Sequence, residues 1–191
     1  MNFEFSEEQQ MLRDQARSYL TQHCPTTLVR RVLNNRETHD ADLYKGIAEM
    51  GWTATTIPEE YGGLGMSHLE LVVIAEELGR ACAPVPFSST VYLAAEAIMA
   101  LGTEAQKQAW LPKLADGSAI GCFALGEAGG AVTPDQISTS IADGVISGTK
   151  VPVADGGIAD VAIVVCESEG GDGATLALVN LSQDTVTKDN V

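Results

Sequence analysis

The residues of this chain best placed to do chemistry are Phe123-Ala124-Leu125-Gly126-Glu127-Ala128-Gly129-Gly130, a short apolar run that meets one carboxylate and then a glycine pair. A strand that breaks into such a turn offers backbone NH groups and lets a ligand approach the main chain closely, which suits the entrance of a cofactor site. Other chemical patterns are weaker. Glu76 and Glu77 are sequence neighbours on a helical pattern, so they point roughly 100° apart and cannot share a substrate; together with Glu70 they read as a solvated face. His23, His39 and His68 are widely separated, which favours surface or capping roles, and no Ser-His-Asp arrangement is legible. Gly170-Gly171-Asp172-Gly173 lies between two strand patterns and reads as a turn, not as a phosphate cradle at a helix start. Cys24, Cys82, Cys122 and Cys166 form no CxxC pair, so four reduced and mostly buried thiols are expected instead of a disulfide or zinc framework.

The elements that position these residues follow from composition and pattern. A chain of 191 residues with 45% hydrophobic content buries one sizeable core or two small ones. A net charge of −15 disfavours nucleic acid and anionic membrane as partners. No apolar run reaches the roughly 18 residues of a membrane span, and the start Met1-Asn2-Phe3-Glu4-Phe5 lacks a signal-peptide pattern, so a cytoplasmic protein is expected. Nine of the eleven Lys and Arg residues fall within 1–117 and only two within 118–191, which places any charged grip on a phosphate mainly in the first part.

Residues 6–22 read as a helix capped by Ser6 with Glu7 and Glu8 in its first turn and Phe3 and Phe5 as a staple, and Pro25 ends that element. Helices are expected over about 26–34, from Asp40 or Asp42 to Met50, and over 67–80 with Leu71, Ile74, Ala75 and Leu78 inward. Ile57-Pro58-Glu59-Glu60-Tyr61-Gly62-Gly63-Leu64-Gly65 reads as a loop without regular structure, a tight connection between packed helices. The nearly uncharged stretch from Ser88 or Ser89 to Leu101 is a deeply placed helix, and Thr103 caps a last one that reaches Leu114. After Gly117 the period changes to that of strands: 119–125, an alternation at Ile137, Thr139 and Ile141, the hairpin signal Asp143-Gly144 with a return over 145–150, then 160–166 and 174–180. The expected class is α+β, an amino-terminal all-helical bundle over 1–117 followed by a partial antiparallel β-barrel or sandwich over 118–191. No G-x-G-x-x-G follows a strand and opens a helix, so a Rossmann site is not expected.

Several segments in order, Phe3-x-Phe5-Ser6-Glu7-Glu8-Gln9, Gly51-Trp52 with 57–65, Glu76-Glu77-Leu78-Gly79, and Gly102-Thr103-Glu104-Ala105-Gln106-Lys107 before Trp110-Leu111-Pro112, resemble acyl-CoA dehydrogenases. The likeness spans essentially the whole chain, as the family's amino-terminal helical domain and the first part of its middle β-domain, and continues through 144–150 and Ala159-Asp160. It implies oxidation of an acyl-CoA thioester to the 2-enoyl form, with FAD as hydride acceptor, in a homo- or hetero-oligomer of such subunits. The chemistry needs a carboxylate base, donors for the thioester enolate and the flavin. The family's base comes from a carboxyl-terminal helical domain outside these residues, so no catalytic residue is assigned in this chain, and Glu76, Glu77 and Glu127 are not substitutes. The resemblance places flavin contacts at Phe123, Leu125, Gly126, Ala131, Val132, Val153 and Ala154, and lining of the acyl pocket at Phe87, Ser89 and Val91.

The family's cofactor pattern has Thr before the Glu, Pro after it and a small-Gly-Ser-Asp turn, then Trp-Ile-Thr one spacer beyond a Lys. Here Gly126 stands for the Thr, Ala128 for the Pro, Ala131-Val132-Thr133 for the turn, and Pro152-Val153-Ala154 for Trp-Ile-Thr after Lys150 and Val151. Phe123 is the sole aromatic residue from 118 to 191. Backbone NH groups at Leu125, Gly126 and Ala131 therefore carry this chain's expected share of flavin binding. The function expected is a subunit or fragment of a flavin-dependent acyl-CoA dehydrogenase; the alternatives are a flavin-deficient, non-catalytic partner in a heteromeric dehydrogenase, or an acyl-binding or scaffold module without redox chemistry. The family's sheet continues past this point, so an unpaired edge that invites association is also expected near the end of the chain.

Overall fold

A computed structural model describes residues 5–130, 133, 136–168, 170 and 173–189. Helix α1 (Glu7–His23) begins where Ser6 and Gln9 cap each other reciprocally, satisfying two otherwise unpaired NH groups. Phe3 of the expected staple lies outside the described residues, while Phe5 is half-buried with the Arg13 guanidinium 5.9 Å from its ring centre. Helices α2 (Thr26–Asn35) and α3 (Ala41–Glu49) follow, the latter capped by Asp40, whose carboxylate also accepts from Arg31. Helix α4 (His68–Ala81) carries a second capping box, Ser67 with Glu70. Two short helices follow, α5 (Glu96–Leu101) and α6 (Glu104–Ala115), the latter capped reciprocally by Thr103 and Gln106.

By packing, the chain divides into two units: Met1–Phe87 with Thr103–Ser118, and Ser88–Gly102 with Ala119–Val191. In the helical unit, Leu20, Ile47, Trp52, Ile57, Ile74, Leu111 and Leu114 are all at most 2% exposed. Each such side chain contributes about 1.5–3 kcal/mol of burial. The segment after α3 is more ordered than the loop expected there. It makes 3₁₀ turns at Trp52–Ala54 and Glu59–Tyr61 and folds back on itself, with Leu64, Gly65 and Met66 donating NH groups to the carbonyls of Ala54, Ile57 and Thr55. A Cβ on Gly63 would lie 1.8 Å from the Ile57 carbonyl oxygen, so only glycine fits there. Tyr61 Oη donates to Glu104 at 2.9 Å and Thr53 Oγ1 to the Ala115 carbonyl at 2.6 Å, fastening this segment to α6.

The solvated face expected at Glu70, Glu76 and Glu77 needs one correction. Glu76 is exposed, but the Glu77 side chain is fully buried, clasped by Arg17 from α1 and Arg80 from α4. Arg17, sixty residues earlier, supplies the counter-charge that makes burial tolerable. Ala75 is half-buried, and Val73 takes a core position instead.

In the second unit the stretch expected to be a helix over 88–101 is helical, but Ser88–Ala95 winds with π-type hydrogen bonding before α5. Its Val91, Ala94, Ala95 and Ile98 are buried, whereas Leu93 and Leu101 are exposed. Among the described residues five strands form one sheet: β1 (Gly121–Ala124), β2 (Ser140–Ala142), β3 (Val145–Ser147), β4 (Val161–Glu167) and β5 (Ala174–Asn180). The α+β class and the order of helices before strands are as expected, while the pairing within the sheet is mixed instead of wholly antiparallel. Strand β4 is central: it pairs in parallel with β1, Gly121 opposite Val161, touches β2 in parallel at Ser140 and Glu167, and pairs antiparallel with β5 along its whole length. β1 reaches β4 across a long connection that contains the β2–β3 hairpin, which permits the parallel pairing. Val161–Cys166 are all buried, the continuous apolar run of a strand covered on both faces. Asp143 and Gly144, both at positive φ, turn the β2–β3 hairpin.

Candidate functional site

The segment singled out in the sequence emerges from the end of β1. Phe123 is half-buried on that strand, Leu125 is exposed just beyond it, and Glu127 sits at the centre of a polar hub. One Glu127 carboxylate oxygen accepts from Lys150 Nζ at 2.7 Å, Thr139 Oγ1 at 2.7 Å and Thr139 NH at 3.0 Å. The other accepts from the Ser138 NH at 2.9 Å and from its hydroxyl. The Lys150 ammonium, followed by the Ser138 and Thr139 donors, holds this carboxyl well below the usual carboxylate range. All its acceptor sites face donors of its own fold. Lys150 also donates to the Leu125 carbonyl at 3.2 Å, and Val151 NH to the Gly126 carbonyl at 2.9 Å, so the strip after β3 is laced to the turn after β1. An open cavity of about 580 Å³ is lined by Glu127, Ala128, Gly129, Gln136, Ser138, Gly148 and Thr149.

The π-helical segment reaches the same strip. Thr90 Oγ1 donates to the Gly121 carbonyl and accepts from the Gly121 NH, which fixes the segment to the start of β1. Ser89 Oγ donates to the Asp155 carboxylate. Asp155 takes φ of 57° in a turn where its own carbonyl accepts from Ile158 and Ala159. Asp155 was not among the expected site residues; its only sequence signal is an Asp before Gly156-Gly157, which marks a turn and not a charge placed for a purpose. Ser89 and Val91 are each 1% exposed and Phe87 is 2% exposed, so the three expected pocket-lining residues are buried. Ser89 stands in contact with the strip through Asp155, next to Ala154. Phe87 packs within the helical unit. Burial pushes the Tyr92 phenol up to about 12 and the Cys122 thiol up to about 11. Three of the four cysteines are buried and all are free, and no group of metal ligands occurs among the described residues.

Of the expected flavin contacts, Ala131 and Val132 lie outside the described residues. The others offer little to a flavin. Gly126 has no side chain, and a Cβ there would meet the Val151 carbonyl oxygen at 3.2 Å. Val153 packs against the sheet core with Ala159 and Ala162, and Ala154 presents an exposed methyl group. The Lys150 side chain is buried in its pair with Glu127, and exposed Lys188 donates to the Ala159 carbonyl at 2.8 Å. Among the described residues of this unit the one buried side-chain polar atom lacking a partner is Ser168 Oγ, which follows β4 and is not part of the strip. Phe123 supplies the one ring, and the side chains at the other described positions supply no hydroxyl or cation, so the polar edge and diphosphate of a flavin find no side-chain partner among them and the set does not fit a flavin.

Comparison with known proteins identifies the framework. Residues 6–118 match the family described as acyl-CoA dehydrogenase, N-terminal domain. The chain is 32% identical over 176 residues to an acryloyl-CoA reductase (NADH) of Anaerotignum propionicum, covering 88% of this chain and 44% of that protein. Among solved structures it resembles a chain of the ChsE4-ChsE5 complex from Mycobacterium tuberculosis, with TM-score 0.84, 26% identity, and coverage of 96% of this chain and 50% of that one. It also resembles an acyl-CoA dehydrogenase complexed with FAD from Bacillus anthracis, with TM-score 0.83, 27% identity, and coverage of 98% and 33%. The chain thus spans about half, or less, of the length of the proteins it matches. With the helical unit matched from Ser6 to Ser118 and the fold shared beyond it, the chain belongs to the acyl-CoA dehydrogenase family.

Proposed function

We propose that this chain is part of an acyl-CoA-oxidising assembly, in which it supplies framework and acyl-CoA contacts while the base that removes the α-proton comes from residues outside it. One observation carries this division of labour: Glu77, the fully buried glutamate, and Glu127, the carboxylate of the candidate site, are each saturated by their own donors. A carboxylate that already accepts from two guanidiniums, or from an ammonium, two hydroxyls and two amides, has no lone pair free for a substrate proton. Helical-domain membership in the family supports the acyl-CoA substrate class. The likeness to a chain from a two-protein complex supports assembly with a second acyl-CoA dehydrogenase-type chain. The reaction is conversion of the thioester to its 2-enoyl form.

The test is calorimetric titration with short-, medium- and long-chain acyl-CoA, paired with an enoyl-CoA formation assay in added FAD and an artificial electron acceptor. Saturable binding without product is the expected result. Product formed by this chain alone would refute the division of labour, and failure to bind any acyl-CoA would refute the substrate class.

A further inference from the structure

We propose that the strip formed by Gly126 and residues 152–155 keeps flavin off this chain, so that the acyl-CoA-oxidising assembly takes its flavin contacts from another chain. The inference rests on the reading above for the assembly, and on this chain's own residues for the exclusion. Two independent observations meet in it. The first is stereochemical. Val153 is half-buried against the core of the sheet, Ala154 shows only a methyl group, and Gly126 is closed in by the Val151 and Pro152 carbonyl oxygens at 3.2 and 3.5 Å from where a Cβ would stand. A ring needing hydrogen bonds along its polar edge finds main-chain groups alone there, and the Leu125 and Gly126 carbonyls are already taken by Lys150 and Val151.

The second is electrostatic. Residues 118–191 carry ten Asp and Glu against two Lys. Lys150 is 8% exposed against Glu127 and so is withheld from a diphosphate, and Lys188 already gives one donor to the Ala159 carbonyl. The side chain that follows Ala154 is itself an anion, Asp155, held in place by Ser89. A flavin dinucleotide, which brings negative charge and gains electron density on reduction, meets repulsion where it needs donors.

The experiment compares FAD binding by wild type and by the double variant Ala154→Thr/Asp155→Asn, followed by quenching of flavin fluorescence. Ala154 is exposed, so the added hydroxyl displaces nothing, and Asn keeps both the turn conformation and the acceptor for Ser89. Folding of each protein is checked by circular dichroism and melting. One restored hydrogen bond and one removed charge each change affinity about fivefold to tenfold, so the variant should bind roughly 25- to 100-fold more tightly. Wild type should purify colourless and show no saturation up to about 100 μM FAD. Wild type carrying FAD near one per chain overturns the proposal. So does a gain below about threefold in the variant, whether both proteins fill or both stay empty. Acyl-CoA is absent from these titrations, so failure of the substrate reading leaves this result standing, and the reverse also holds.

Discussion

The Glu77 clasp in the helical unit offers a sharp test of how this fold manages buried charge. Its carboxylate is fully buried and accepts from Arg17 Nη2 at 2.6 Å, from Arg17 Nε at 3.1 and 3.2 Å, and from Arg80 Nε at 2.5 Å. Glu77→Gln keeps the volume but removes the charge and turns an amide NH₂ toward one guanidinium. Breaking a fully buried pair costs about 3–5 kcal/mol. Here the arginine side chains are 50% and 42% exposed and can turn to water, which lowers the cost to about 2 kcal/mol, within the range of a lost charge-assisted hydrogen bond. For a helical unit of this size that is roughly 10 °C of melting temperature. The pH dependence gives an independent readout. Arg17, with help from Arg80, holds the Glu77 carboxyl below its ordinary value of 4.5 against the opposing effect of burial. A carboxyl lowered in the folded state stabilises above its ordinary value, and that contribution is lost as pH falls toward the folded one. Urea unfolding of wild type and Glu77→Gln should therefore differ by about 2 kcal/mol near pH 7, and the gap should close below about pH 4.5. Glu76→Gln, on the exposed neighbour, should change stability by less than about 0.5 kcal/mol. A Glu77 gap below that level at neutral pH, or one that does not shrink in acid, would refute the reasoning.

Gly63→Ala should destabilise the helical unit by about 3 kcal/mol, because its Cβ would sit 1.8 Å from the Ile57 carbonyl oxygen and the returning segment would have to shift; thermal melting with no loss of stability would count against the fold-back of 51–66. Of the four thiols only Cys82 is exposed, so a thiol reagent should modify one cysteine rapidly and Cys24, Cys122 and Cys166 only on unfolding. A second fast thiol by mass spectrometry would contradict the burial of the C-terminus of α1 if it is Cys24, of β1 if it is Cys122 and of β4 if it is Cys166.

Much of this architecture is legible in the sequence because it is written in local signals. Ser6, Ser67 and Thr103 start their helices through bonds to residues three positions on or fewer, and Asp143-Gly144 turns its hairpin by backbone preference alone. Long-range features are not written that way. Glu77 reads as a solvent residue because its partner Arg17 lies on another helix. The π-type winding of 88–95 leaves no spacing signature in a stretch so uniformly apolar. The parallel pairing of β1 with β4 depends on how a long connection is routed, which strand patterns do not encode. At the candidate site the sequence shows which residue types are absent from 126 and 152–154, while the occupation of Lys150 and Lys188 and the Ser89–Asp155 contact emerge only in three dimensions.

The central place of β4 also sets a clock. Gly121 has no strand to pair with until Val161 has left the ribosome, an interval of roughly 2–8 s at ordinary elongation rates. For that time Cys122 and Ala124, buried in the finished sheet, belong to an open apolar edge. β4 and β5 are separated by six residues in sequence and register with each other along their whole length, a far more local pairing than that of β1 with β4. Newly made chains are thus most vulnerable to self-association in the window between residues 121 and 161, and slower translation over that stretch would lengthen the exposure.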